Sequence, residues 1–102
     1  MILYNITINI EKEVEEEWFV WMKQIHIPAI LDTGLVKDNK ILKLLTEIDE
    51  SMGITYSFQY FLPDRTSLEK FQNEYEPLID STLYKKYQNK FVEFRTVLEV
   101  MD

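Results

Sequence analysis

Polar and apolar residues alternate without a break from Ile2 to Ile10: Ile2, Tyr4, Ile6, Ile8 and Ile10 form one set, Leu3, Asn5, Thr7 and Asn9 the other. A period of two predicts a strand with one apolar face and one mostly polar face. The period then changes. Val14, Trp18, Trp21, Met22 and Ile25 recur at helical spacing and fall on one stripe about 100° wide, predicting an amphipathic helix. Pro28 is expected to break or restart that helix. A short turn through Ala29, Ile30 and Leu31 should then stop at Gly34, which can take the left-handed capping conformation.

After a polar turn at Lys37 to Lys40, a second strand is predicted from Ile41 to Asp49. Glu50 to Gly53 reads as a hairpin connection. A third strand follows from Ile54 to Leu62, with Ile54, Tyr56, Phe58, Tyr60 and Leu62 on one face. Thr66-Ser67-Leu68-Glu69 has the form of a capping box and should start the second helix. Its stripe is Leu68, Phe71, Tyr75, Leu78 and Ile79, with Pro77 marking a kink or a new first turn. Val92 to Met101 completes the set as a fourth strand.

The order β-α-β-β-α-β predicts a single α+β domain over residues 1–102. It is a ferredoxin-like sandwich with two helices on one face of a four-stranded antiparallel sheet. The first and third strands, the most apolar on one side, should be central. Assigning Leu42, Leu44, Phe94, Leu98 and Val100 to the helix side leaves Ile41, Lys43, Leu45, Glu93, Arg95, Val97 and Glu99 on the open face. They join Leu3, Asn5, Thr7, Thr55, Ser57, Gln59 and Phe61 there. That mixture is too apolar for a face that only meets water and too polar for a dry core. A symmetric partner sheet enclosing a small polar cavity accounts for both, making Asn5, Lys43, Ser57, Gln59 and Arg95 candidate ligand-binding residues. The alternative is a partly apolar, solvated face on a monomer.

Charge and composition narrow the partners. The chain carries 18 acidic and 11 basic residues, a formal charge of −7. Nucleic acid and acidic membranes would repel it, because affinity for phosphates comes from basic side chains. The run Glu11 to Glu17 reads as a solvated helix face near the positive end of the helix dipole. No cysteine is present, which fits a reducing compartment and removes thiol nucleophiles and thiolate metal sites. The opening MILYNITINI lacks a basic leader region, and no apolar run approaches the roughly 20 residues of a membrane span. A cytoplasmic protein is therefore expected. With two glycines and no G-x-S-x-G, neither a phosphate-cradling loop nor a serine nucleophile is indicated.

MILYNITINI, EEEWFVWMKQIHIP with AILDTGL, TYSFQYF and the closing FRTVLEV resemble an uncharacterised bacterial family, domain of unknown function 4286, essentially end to end. W-x-x-W-M-x-x-x-H-I-P joined to F-R-T-x-L-E-V carries most of the likeness. More loosely the chain is similar to the dimeric α/β barrel superfamily, which includes cofactor-free monooxygenases. The resemblance implies the fold and a homodimer, and supplies no activity.

Two side chains carry the remaining candidate chemistry. His26 follows the core stripe by one residue and should sit at the helix flank. It either interacts with the negative helix end or serves as a general base or haem ligand at a cavity mouth. One histidine without cysteine does not make a familiar zinc site. Arg95 keeps its charge, so on the mixed face it either pairs with Glu93, Glu99 or a partner's carboxylate, or holds an anionic ligand. Trp18 and Trp21 read as core. The leading expectation is a small homodimer packed through its open sheet face, binding a small polar molecule there, with no metal or cofactor indicated. The alternative is a cofactor-free monooxygenase-like enzyme using His26 with Arg95, Asn5 or Gln59.

Overall fold

The computed structural model describes residues 1–46 and 49–102. Strands β1 (Ile2–Ile10), β2 (Asp38–Lys43), β3 (Ile54–Leu62) and β4 (Phe91–Glu99) form an antiparallel sheet in the order β2-β3-β1-β4. Helices α1 (Glu15–Trp21), α2 (Ile27–Leu31), α3 (Arg65–Glu74) and α4 (Glu76–Lys86) supply the second layer. This is the expected ferredoxin-like topology, with β1 and β3 at the centre.

Both central strands bury every second residue. Their registered pairs, Tyr4 with Tyr60, Ile6 with Phe58 and Ile8 with Tyr56, put aromatic and β-branched side chains side by side beneath the helices. Trp18 is fully buried against Tyr56 and Phe58, with ring centroids 5.4 and 5.7 Å away. Such aromatic pairs contribute about 0.5–1.5 kcal/mol beyond area burial. Tyr4 meets Phe71 of α3 edge-on.

Two local expectations change and a third holds. The second strand starts at Asp38, inside the stretch read as a turn, and is paired through Lys43; Glu47 and Ile48 of its expected span lie outside the described residues. The N-cap of α3 is Asp64, not Thr66. Asp64 has extended backbone angles and its carboxylate accepts from the Ser67 N–H at 2.8 Å, so Thr66 is already inside the helix. Pro77 does open a new first turn, that of α4.

The larger change concerns the two edge strands. Register places Phe91, Glu93, Arg95 and Val97 opposite Ile10, Ile8, Ile6 and Tyr4, on the helix side. Val92, Phe94, Thr96 and Leu98 take the open face. On β2, Ile41 stands opposite Phe58 and Lys43 opposite Tyr56, on the helix side, while Lys40 and Leu42 are open. A one-residue shift exchanges all side chains between faces. The sequence places the more apolar set inward; the inward set of β4 instead includes Glu93 and Arg95, because Arg95 meets the carboxylates of α4 there and Glu93 pairs with it.

The first helix also departs from a single stripe. Ile25 is 53% exposed, whereas His26 is 4% exposed. Truncating Trp18 to Ala should therefore cost about 3–5 kcal/mol, and Ile25→Ala should change stability by no more than about 0.5 kcal/mol. Urea unfolding of the two variants checks this, and comparable losses would contradict the observed helix register.

Candidate functional site

The inversion of Ile25 and His26 has a local cause. Between α1 and α2 the chain makes a wide π turn, Met22–His26, in which the Ile27 N–H bonds the Met22 carbonyl five residues back. In an uninterrupted α-helix Ile25 would lie about 20° from the line of Trp18 and point inward. One inserted residue rotates the following positions back, so His26 takes the inward place. Pro28 supplies the reason for the wide turn. It has no N–H to offer the Gln24 carbonyl and its ring crowds that oxygen. The helix does not break at the proline; it widens ahead of it and continues to Leu31.

His26 faces α4 across the layer. Along α4 and its C-cap the inward positions Glu76, Asp80, Leu83 and Tyr87 are spaced four, three and four residues apart and all are buried, so two carboxylates ride on a core stripe. Arg95 of β4 meets them. Its Nη2 lies 2.6 Å from Asp80 Oδ2 and 3.0 Å from Glu93 Oε1, and its Nε lies 4.0 Å from Glu76 Oε2. The Tyr4 hydroxyl donates to Glu76 at 2.8 and 3.0 Å, and the Tyr84 hydroxyl donates to Glu93. His26 Nε2 stands 3.9 Å from Asp80 Oδ1, just beyond hydrogen-bond reach, while buried His26 Nδ1 has no partner. These contacts form one cluster in which three carboxylates surround one guanidinium, with an imidazole beside it.

Burial decides the protonation states. Desolvation, aided by the Arg95 charge, pushes the His26 imidazole down to about 4, so it is neutral at pH 7. The Asp80 carboxyl is pushed up to about 7, burial and the neighbouring Glu76 and Glu93 outweighing the pull of Arg95. Burial likewise raises Glu76, against the Tyr4 hydrogen bond and Arg95. A neutral imidazole beside an acid that titrates near neutrality is an arrangement suited to holding or moving a proton.

The residues singled out by sequence divide between two places. Asn5, Ser57 and Gln59 come together on the open face, where the Ser57 hydroxyl donates to Asn5 Oδ1 at 2.5 Å and Asn5 Nδ2 donates to Thr7 Oγ1 at 3.2 Å. Lys43 and Arg95 do not join them, because both lie on the helix side. Arg95 pairs with Glu93, as one reading allowed, and also with Asp80 and Glu76, which sequence reasoning passed over. The available signal was the Glu76–Asp80–Leu83–Tyr87 spacing, which appears once the helix is restarted at Pro77. Among the described residues, no group of three or more histidine, cysteine, aspartate or glutamate side chains could hold a metal ion.

Above His26, a groove of about 170 Å³ runs between the first helical segment and α4, lined by Trp21, Ile25, Ala29, Leu78, Ile79 and Thr82. A wider concavity of about 700 Å³, lined in part by Asn9, Glu11, Glu13 and Gly53, holds none of the buried titratable groups.

The model of the domain of unknown function DUF4286 matches residues 1–101. The chain belongs to that family. A search of curated proteins finds no match for this DUF4286 chain. Solved structures share its fold. An ethyl tert-butyl ether d (EthD) family protein from Bacillus halodurans is similar at TM-score 0.72 and 13% identity, over 99% of this chain and 100% of the other. A dimeric ferredoxin-like protein from an uncultured marine organism aligns at 0.66 and 15%, over 100% and 96%. An antibiotic biosynthesis monooxygenase aligns at 0.59 and 11%, over the full length of both. At these identities the likeness concerns the fold.

The opposed shifts of His26 and Asp80 make stability depend on pH in a separable way. Between about pH 4 and the ordinary 6.5 of histidine, the unfolded chain binds the proton that His26 refuses, so this group's contribution rises with pH and is lost as pH falls towards 4. Asp80 is the reverse: its contribution is full below 3.8 and is lost as pH rises to about 7. Relative to the wild type, Asp80→Asn should acquire a more positive slope of stability against pH between about 4 and 7. His26→Gln should acquire a more negative one between about 4 and 6.5. Urea midpoints measured across that range check both signs.

Proposed function

We propose that this protein is a homodimer whose two open sheet faces pack together and enclose a small polar space, in which a small polar molecule binds. One observation carries the reading: the open face is apolar at its edges and polar at its centre. Val92 is 69% and Phe94 64% exposed, with Leu98, Leu42 and Leu44 also exposed, while Asn5, Thr7, Ser57 and Gln59 occupy the middle strands. Aliphatic and aromatic side chains of this number on one flat surface are what an obligate two-fold interface buries. The polar middle needs partners from water, a ligand or its symmetry mate. A solved relative in fold is itself described as dimeric. The reading includes a single domain over residues 1–102 and residence in the cytoplasm, supported by the absence of cysteine.

A second reading, an acid–base enzyme akin to the monooxygenase that shares the fold, is favoured by the neutral His26 beside Asp80 and Arg95. It uses the helix side of the sheet, so Asn5 and Gln59 play no part in it.

Light scattering at micromolar concentration should give twice the 12.3 kDa chain mass. Phe94→Lys should give a single-chain mass with the circular dichroism spectrum retained. A wild-type mass equal to one chain removes the sheet-to-sheet dimer.

A further inference from the structure

We propose that the groove between the first helical segment and α4 binds a compact, uncharged, mostly apolar molecule of about one six-membered ring, bearing a hydroxyl group that engages His26. Size comes from the cavity. At about 170 Å³ it is comparable to dry cavities of about 150 Å³ that take up benzene. Polarity comes from the walls, which are Trp21, Ile25, Ala29, Leu78 and Ile79, with the Thr82 hydroxyl, the His26 ring and the Trp21 indole N–H as the side-chain groups able to hydrogen-bond.

The rim is apolar without need of it for folding. Leu78 is 77% exposed and Ile25 53%, and both stand on the helical layer, so a partner sheet on the opposite face leaves them uncovered. The floor is polar by construction. A regular helix would have turned Ile25 inward and left the groove without a side chain that can accept a hydrogen bond at its floor; the π turn substitutes His26. Its ring is nine-tenths buried, and Nδ1 has no hydrogen-bond partner. A neutral imidazole offers one acceptor and one donor, and a hydroxyl can answer either.

Charge is excluded on both signs. An anion would approach Asp80, Glu76 and Glu93, which outnumber Arg95. A cation would have to shed its hydration shell against aliphatic walls.

The site is separate from the sheet face, so its test is independent of the dimer. In a ¹H–¹⁵N titration, 4-methylphenol should give saturable shifts at Ala29, Thr82 and the Trp21 indole, and toluene should bind about tenfold more weakly, the loss of one hydrogen bond to a buried group. Phe94→Lys should leave this binding intact. Ala29→Phe and Thr82→Phe, each filling the groove from a partly or fully exposed position, should abolish binding of both probes. His26→Phe should erase the preference for 4-methylphenol. Absence of saturable shifts up to the solubility of both probes, equal affinity for the two, or binding that survives both groove-filling variants overturns the proposal.

Discussion

Among the described residues, Arg95 is the one group in the layer between sheet and helices that cannot shed its charge, and the way β4 meets α4 follows from satisfying it. From an edge strand it reaches Asp80, Glu93 and Glu76, which ties β4 to α4 and fixes which face of each meets the other. Breaking such a cluster from one side leaves a charge without its partner, at a cost of about 3–5 kcal/mol when fully buried and less here because Arg95 is partly exposed. Replacing every member with well-packed hydrophobic residues would often cost nothing. Stability alone therefore does not account for three acids and a base in this layer; the contacts also fix the register in which β4 meets α4.

A second constraint acts from the other helix. Pro28 would ordinarily end α1, and a break there would leave the chain free before it crosses to β2. By widening the turn ahead of the proline, the helix continues, keeps Ile27 and Ile30 in the core, and exchanges an isoleucine for a histidine at the inward position. The exchange costs the burial of an imidazole with an unmet nitrogen, a penalty that a core chosen only for stability would avoid. Proline and histidine thus belong to one device, since the backbone that accommodates the first delivers the second.

The fold was legible because β1 and β3 have one unambiguous apolar face and the two helices have recognisable stripes; these decide topology. The edge strands were less legible because hydrophobic alternation selects a face only when the competing side is water. Val92, Phe94 and Leu98 are more apolar than Phe91, Glu93 and Arg95, yet the second set turns inward because its partners on α4 are Glu76 and Asp80. That pairing spans 15 and 19 residues and is invisible to any local pattern. His26 was legible as a candidate but not as a buried one, since a π turn shifts the helical phase and a sequence read at 3.6 residues per turn has no place for the extra residue. Asn5, Ser57 and Gln59 were placed correctly for the opposite reason: they lie on central strands whose phase was never in doubt.

The two sides of the sheet consequently present different chemistry. On the open face the polar groups Asn5, Ser57 and Thr7 satisfy one another, so their hydrogen bonds are partly used before any ligand arrives, and the exposed aliphatic and aromatic edges dominate. On the helix side the polar groups are over-supplied with negative charge, and Asp80, pushed up to about 7, lets the cluster take up or release a proton near neutral pH. The imidazole that faces it stays neutral through the same range, and so remains able to accept from a ligand while the acid beneath it changes state. The alternation of β4 produces this division: Val92, Phe94 and Leu98 are turned to the open face, while Glu93 and Arg95 are turned to the helix side.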